Sequence, residues 1–229
     1  MSEQKPPQAP LGILMLDTRF PRIVGDVGNA QSYDHPVIFR TMQGIGSSDA
    51  VAAHPDRPRV LAALKANAEA LAAEGAVGLS TSCGFLALYQ DDLAAVSPVP
   101  VATSALLHIK SLGGRKAGVL TASARNLTPA HFRAVGAPED TPVVGLPEDS
   151  SFAATFLRNG LTLDRDTVER EVVAAGRELV TKHPDIEVVV LECTNLPPYR
   201  KALERELGRP LLDVLDLLKG FYAGLSSRR

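Results

Sequence analysis

Short, unbroken apolar runs alternate with longer stretches of helical spacing along almost the whole chain. This alternation restricts the fold more than any other feature. Leu11–Leu16 (LGILML), Ala117–Thr121 (AGVLT) and residues 187–192 (EVVVLE) lack a polar residue at every second position. Such runs suit strands buried on both faces, and those strands occur in parallel sheets covered by helices. Weaker strand signals lie at 76–80, 98–102, 141–146 and 210–214. Between them, residues 58–74 place Val60, Leu61, Leu64, Ala68 and Leu71 at helical spacing, with Asp56 as cap. Further helices are expected over 84–95, 103–112, 164–183, 196–207 and 215–225, and one starts at Thr128-Pro129. Residues 20–39 carry Pro21, Gly25, Gly28 and Pro36 and little periodicity, so they read as a long loop.

The pattern runs twice. Gly12-Ile-Leu-Met-Leu opens the first half and Gly118-Val-Leu-Thr the second. Each half later has a strand ending in cysteine, at Cys83 and Cys193, which lie 71 positions after Gly12 and 75 after Gly118. The expected fold class is therefore α/β, with two pseudo-symmetric lobes, each a short parallel sheet flanked by helices, and a site between them. Residues 11–112 form the first lobe, 113–209 the second, and 210–229 are placed to complete the first. Residues 1–10, polar and with three prolines, read as a disordered tail.

A net charge of −2 gives no electrostatic footprint for nucleic acid or an anionic membrane. No apolar run approaches the roughly 20 residues of a membrane helix. The start of the chain lacks the charged-then-apolar order of an export signal, which leaves the cytoplasm as the expected compartment and the two cysteines as free thiols. A homo-oligomer is compatible with this composition.

Ligands in open parallel sheets bind outside the carboxyl ends of the strands, where both cysteines fall. Gly84 follows the first and Thr194-Asn195 the second, each at the start of an expected helix. Free amide groups there suit a carboxylate and stabilise a thiolate. A lone cysteine ending a strand is usually a small buried hydrophobe. Here the chain's only two cysteines take matching places in two matching halves, which points to chemistry. Proton removal next to a carboxylate needs a well-placed base, and inversion needs an acid on the opposite face. His35, His54, His108, His131 and His183 show no metal spacing with the cysteines, and Gly44-Ile-Gly46 lacks a dinucleotide fingerprint. Neither a metal nor a cofactor is expected.

Thr81-Ser-Cys-Gly-Phe85 and Glu192-Cys-Thr-Asn195, with Leu16-Asp-Thr-Arg19 and Thr121-Ala-Ser123, resemble motifs of the aspartate/glutamate racemase superfamily in order and spacing. The resemblance runs from Leu11 to about Leu225. It implies a cofactor-independent racemase in which Cys83 and Cys193 face each other across a small carboxylate substrate. Asp17 and Thr18 would position that substrate or orient a thiol. Ser82, Gly84, Thr121, Ser123, Thr194 and Asn195 would surround its carboxylate, and Arg19 is a candidate clamp. Asp26, Asn29 and Tyr33 lie on a loop that can overhang the site. Gly84-Phe85 and Asn195 depart from the Asn-Thr and His found in many amino-acid racemases. A maleate-type isomerase shares Cys-Thr-Asn, an arylmalonate-type decarboxylase needs only Cys193, and a non-catalytic carboxylate binder is the remaining alternative.

Overall fold

A computed structural model describes residues 9–226. All strand pairing in it is parallel. In the first sheet β1 (Leu11–Leu16) lies between β2 (Val37–Met42) and β3 (Leu79–Thr81). In the second, β4 (Ala117–Thr121) lies between β5 (Val143–Gly145) and β6 (Val188–Leu191), and β7 (Leu211–Leu212) pairs with β6. The orders β2-β1-β3 and β5-β4-β6 match. Leu79 also forms an isolated bridge with Val101, in the place that β7 takes beside β6. The strand expected at 98–102 is reduced to that bridge. The α/β class with two short parallel sheets thus stands, and its repeat lies in topology more than in sequence.

The unbroken apolar runs give the central strands, since every residue of β1, β4 and β6 is buried. β2, whose first three residues fall in the expected loop over 20–39, carries no such run for the opposite reason. It is an edge strand, half-buried over Val37–Phe39 and exposed at Arg40 and Thr41. The helix Arg57–Ala73 begins at Asp56, whose carboxylate accepts from the Arg59 amide, and buries Val60, Leu64, Ala68 and Leu71. Leu64 is fully enclosed. Leu64→Ala is expected to cost about 2–5 kcal/mol of stability, read as a lowered midpoint in urea at unchanged slope.

Two segments expected as α-helices are wound more tightly. Gly84–Tyr89 is 3-10 before continuing as α-helix over Gln90–Val96, and Ala105–Ser111 is 3-10 throughout. A π-turn at Ala153–Leu157 has no counterpart in the sequence reading. The last helix, Val214–Ser226, follows β7 of the second sheet yet crosses back to the first lobe. Phe221 and Leu225 lie so close to Gly78 that a β-carbon there would come within 2.9 and 2.5 Å of them. Residues 1–8 of the expected tail lie outside the described residues. Ala9 accepts from the Tyr222 hydroxyl at 2.8 Å, and Pro10 accepts from the Val77 amide at 3.0 Å. Among the described residues no helix is long and apolar enough to cross a membrane.

Candidate active site

The segments that follow β3 and β6 cross at the junction of the two lobes. Ser82, just before Cys83, meets Thr194, just after Cys193: the Thr194 hydroxyl donates to the Ser82 carbonyl at 2.7 Å. Gly84, just after Cys83, meets Glu192, just before Cys193. A β-carbon on Gly84 would sit 2.2 Å from both the Glu192 carbonyl oxygen and its Oε1. The crossing thus has an approximate two-fold character, with a thiol at the centre of each arm. Both thiols are enclosed, at 7% exposure for Cys83 and 8% for Cys193.

Burial, more than the helix starts, governs the thiols. Desolvation pushes Cys83 up to about 12, and Glu192 pushes it the same way; the Phe85 and Leu86 amides and the Arg22 guanidinium offset only part of this. Cys193 is raised well above an ordinary thiol, first by burial and then by Glu192, with Cys83 and Asp26 adding to the rise. The lowered thiol pKa expected from a helix N-terminus is therefore not what the structure has. The 3-10 turn after Cys83 spans six residues, so few aligned amides oppose the desolvation.

A loop from the first lobe spans the junction. Val27 donates its amide to the Thr194 carbonyl at 3.5 Å, and Gly25, at φ +100°, lies against Pro198, whose Cα would be 2.9 Å from an added β-carbon. Phe20 packs edge-on against Phe156 of the π-turn at 5.0 Å, and the Arg19 amide donates to Asn159 Oδ1 at 2.7 Å. From this loop a polar chain runs to the second thiol. Arg22 donates to Thr18 Oγ1 at 3.0 Å and to Asp26 Oδ1 at 2.8 Å. Asn195 donates to Asp26 Oδ2 at 2.6 Å, and the Cys193 thiol donates to Asn195 Oδ1 at 3.6 Å.

The structure gathers Cys83, Cys193, Ser82, Gly84, Thr194 and Asn195 at the junction, and Thr18 joins them through Arg22. Several hydroxyls are already engaged. Ser82 Oγ accepts from the Leu16 amide at 2.9 Å, and Thr121 donates to Glu192 Oε2 at 2.6 Å. Ser123 is buried, and its carbonyl holds the turn that follows by accepting from the Asn126 and Leu127 amides. Asp17 accepts from the Gly44 amide at 3.0 Å, and Arg19 is exposed. Of the loop residues, Asp26 is in the network, Asn29 caps a short turn, and Tyr33 donates to the Val27 carbonyl at 2.6 Å. Phe85 is buried edge-on against His131. Arg22 and the side chain of Glu192 are not among the residues expected from the sequence. The signals were present: an Arg–Asp pair four residues apart, and a carboxylate ending a run of three valines and a leucine.

Among the described residues no group of three or more His, Cys, Asp or Glu side chains is placed to hold a metal ion.

Paired parallel sheets whose cysteine-bearing strand ends meet are the architecture of a two-lobed α/β enzyme. The chain belongs to the Asp/Glu/hydantoin racemase family, whose sequence model matches residues 30–218. Among curated relatives it is similar to a dimethylsulfoniopropionate lyase of Durusdinium sp. clade D, 27% identical over 98% of this chain and 80% of that protein. It is also similar to dimethylsulfoniopropionate lyase 5 of Emiliania huxleyi, 31% identical over 91% of this chain. The chain spans 44% of that second protein's length. Among solved structures, a glycine-to-cysteine mutant of arylmalonate decarboxylase in a sulfate-associated form superposes with a TM-score of 0.66 at 17% identity, covering 95% of this chain and 94% of that one. Glutamate racemase from Thermus thermophilus, in complex with β-chloro-D-alanine, gives 0.59 at 20% identity, covering 98% and 83%. At these identities the structural matches speak for the fold alone.

Proposed function

We propose that the protein removes the α-proton of a small carboxylate without a cofactor, with Cys83 and Cys193 as the acid/base pair. The observation that carries this reading is the crossing of the two cysteine segments, which gives each lobe one enclosed thiol at the same junction. A thiol that ionises reluctantly is a strong base once ionised, as proton removal from a carbon acid requires. In an enclosed site the Arg22 guanidinium and the amides after each cysteine favour the negative charge that develops on the substrate carboxylate.

The fate of the carbanion follows from the substrate. With no leaving group on the next carbon, the opposing thiol returns a proton to the other face and the centre inverts. With a sulfonium on the next carbon, the electron pair forms a carbon–carbon double bond, the carbon–sulfur bond breaks, and the sulfide departs with that bond's electrons. The second fate is favoured by the lyase names of the relatives that match nearly the whole chain. One set of incubations separates the two. Dimethylsulfoniopropionate is incubated with enzyme and the headspace assayed for dimethyl sulfide, while aspartate, glutamate and hydantoins are incubated in D2O and followed by NMR for α-proton loss. Sulfide release is expected if elimination dominates, and α-deuteration with loss of optical rotation if inversion does. Neither outcome with any substrate, from folded protein, would remove α-deprotonation as the function.

A further inference from the structure

Glu192 is fully buried at the end of β6, between the lobes and next to both cysteines. One oxygen is tied to Thr121 of β4. The other, Oε1, has no hydrogen-bond partner and lies against the Gly84 backbone behind Cys83. A buried carboxylate without full pairing is costly, so the group is retained against a penalty that an apolar residue would avoid.

We propose that Glu192 is a positioning residue that sets how readily both active-site thiols ionise, from a place sealed between Thr121 and Gly84, beside the two cysteine segments. The proposal rests on the reading of Cys83 and Cys193 as the acid/base pair. Burial raises the Glu192 carboxyl to about 7, and the Thr121 hydrogen bond counters this only in part. Below that pH the carboxyl is neutral and leaves the thiols alone. Above it the carboxylate opposes a second negative charge on either sulfur. The other charged and titratable groups that act on the thiols are Arg22 on Cys83, and Asp26 on Cys193 together with Cys83 itself. Arg22 and Asp26 are paired with each other on the bridging loop, and Glu192 is the carboxyl that burial brings to about 7.

The test is thiol alkylation by iodoacetamide across pH, which needs no substrate and no turnover. Cys83→Ala and Cys193→Ala backgrounds each report the remaining thiol. Glu192→Gln keeps the shape and an acceptor for Thr121 but removes the charge. The ratio of alkylation rates, Glu192→Gln over parent, is expected to be near one at pH 5.5 and to climb through neutrality to about tenfold, the effect of about one pKa unit. A ratio that is constant at all pH overturns the proposal, since a merely loosened site would speed alkylation equally throughout. Should Glu192→Gln fail to fold, the parent chain still answers. Its log rate should rise with unit slope below pH 7 and flatten through the Glu192 transition, and an unbroken unit slope overturns the proposal. Failure of every candidate substrate would touch the proposed function and leave this titration intact.

Discussion

Cys83→Ala and Cys193→Ala are each expected to lower inversion by about 10²–10⁴-fold, the usual worth of one acid–base group. The two losses are alike because the two thiols are placed alike: each follows the end of the strand beside its lobe's central strand, β3 next to β1 and β6 next to β4. The variants should differ in what they retain. Each keeps one base, so each should still exchange the α-proton of one enantiomer in D2O, and the preferred enantiomers should be opposite. Elimination makes a different demand. It needs one base and a leaving group, so one variant should be dead toward dimethylsulfoniopropionate while the other keeps measurable release. Circular dichroism of both variants should match the parent, since alanine at an enclosed thiol removes one atom. Full activity in both variants would take the cysteines out of the mechanism.

Much of the scaffold was legible because burial on both faces leaves a plain mark. A strand such as Val188–Leu191 holds no polar side chain, nor does Leu11–Leu16, and Ala117–Thr121 is apolar up to its last residue. An edge strand carries no such mark, and β2 goes unread because Val37–Phe39 are only half-buried and Arg40 and Thr41 face solvent. The 3-10 turns after Cys83 and Ser104 were also beyond reach. Apolar residues there are buried almost continuously, so the helical period that separates one winding from another is lost.

The cysteines were legible from their positions, whereas the electrostatics around them were not. Whether a helix start lowers a thiol depends on how much water reaches the sulfur, and that is a property of the assembled lobes. The engaged hydroxyls teach the same lesson. The motifs offer Thr121 and Thr194 to a substrate carboxylate, yet in this structure one is bound to Glu192 and the other joins the lobes through the Ser82 carbonyl. A motif states which residues gather, while the partner each one takes is settled by what lies opposite.

Gly84→Ala is expected to be the most damaging single-methyl change in the chain. Gly84 needs no special backbone angle, since its φ is not among the positive ones. It needs room. The added carbon would stand 2.2 Å from the Glu192 carbonyl oxygen and 2.2 Å from Oε1. A flexible side chain can swing away, as Ile186 can from a β-carbon on Gly118 at the same 2.2 Å. The Glu192 carbonyl cannot, because that backbone is anchored by its amide to the Leu120 carbonyl at 2.9 Å and continues directly into Cys193. The lobes must therefore part where the two cysteine segments cross. Overpacking of this kind costs about 1–3 kcal/mol, and more where backbone is involved. The loss of activity should exceed the loss of stability, because the displaced segments carry the two thiols. Thermal unfolding and turnover measured on the same preparation check this. A Gly84→Ala protein with parental melting temperature and parental rate would show that the close approach of the two segments is not required.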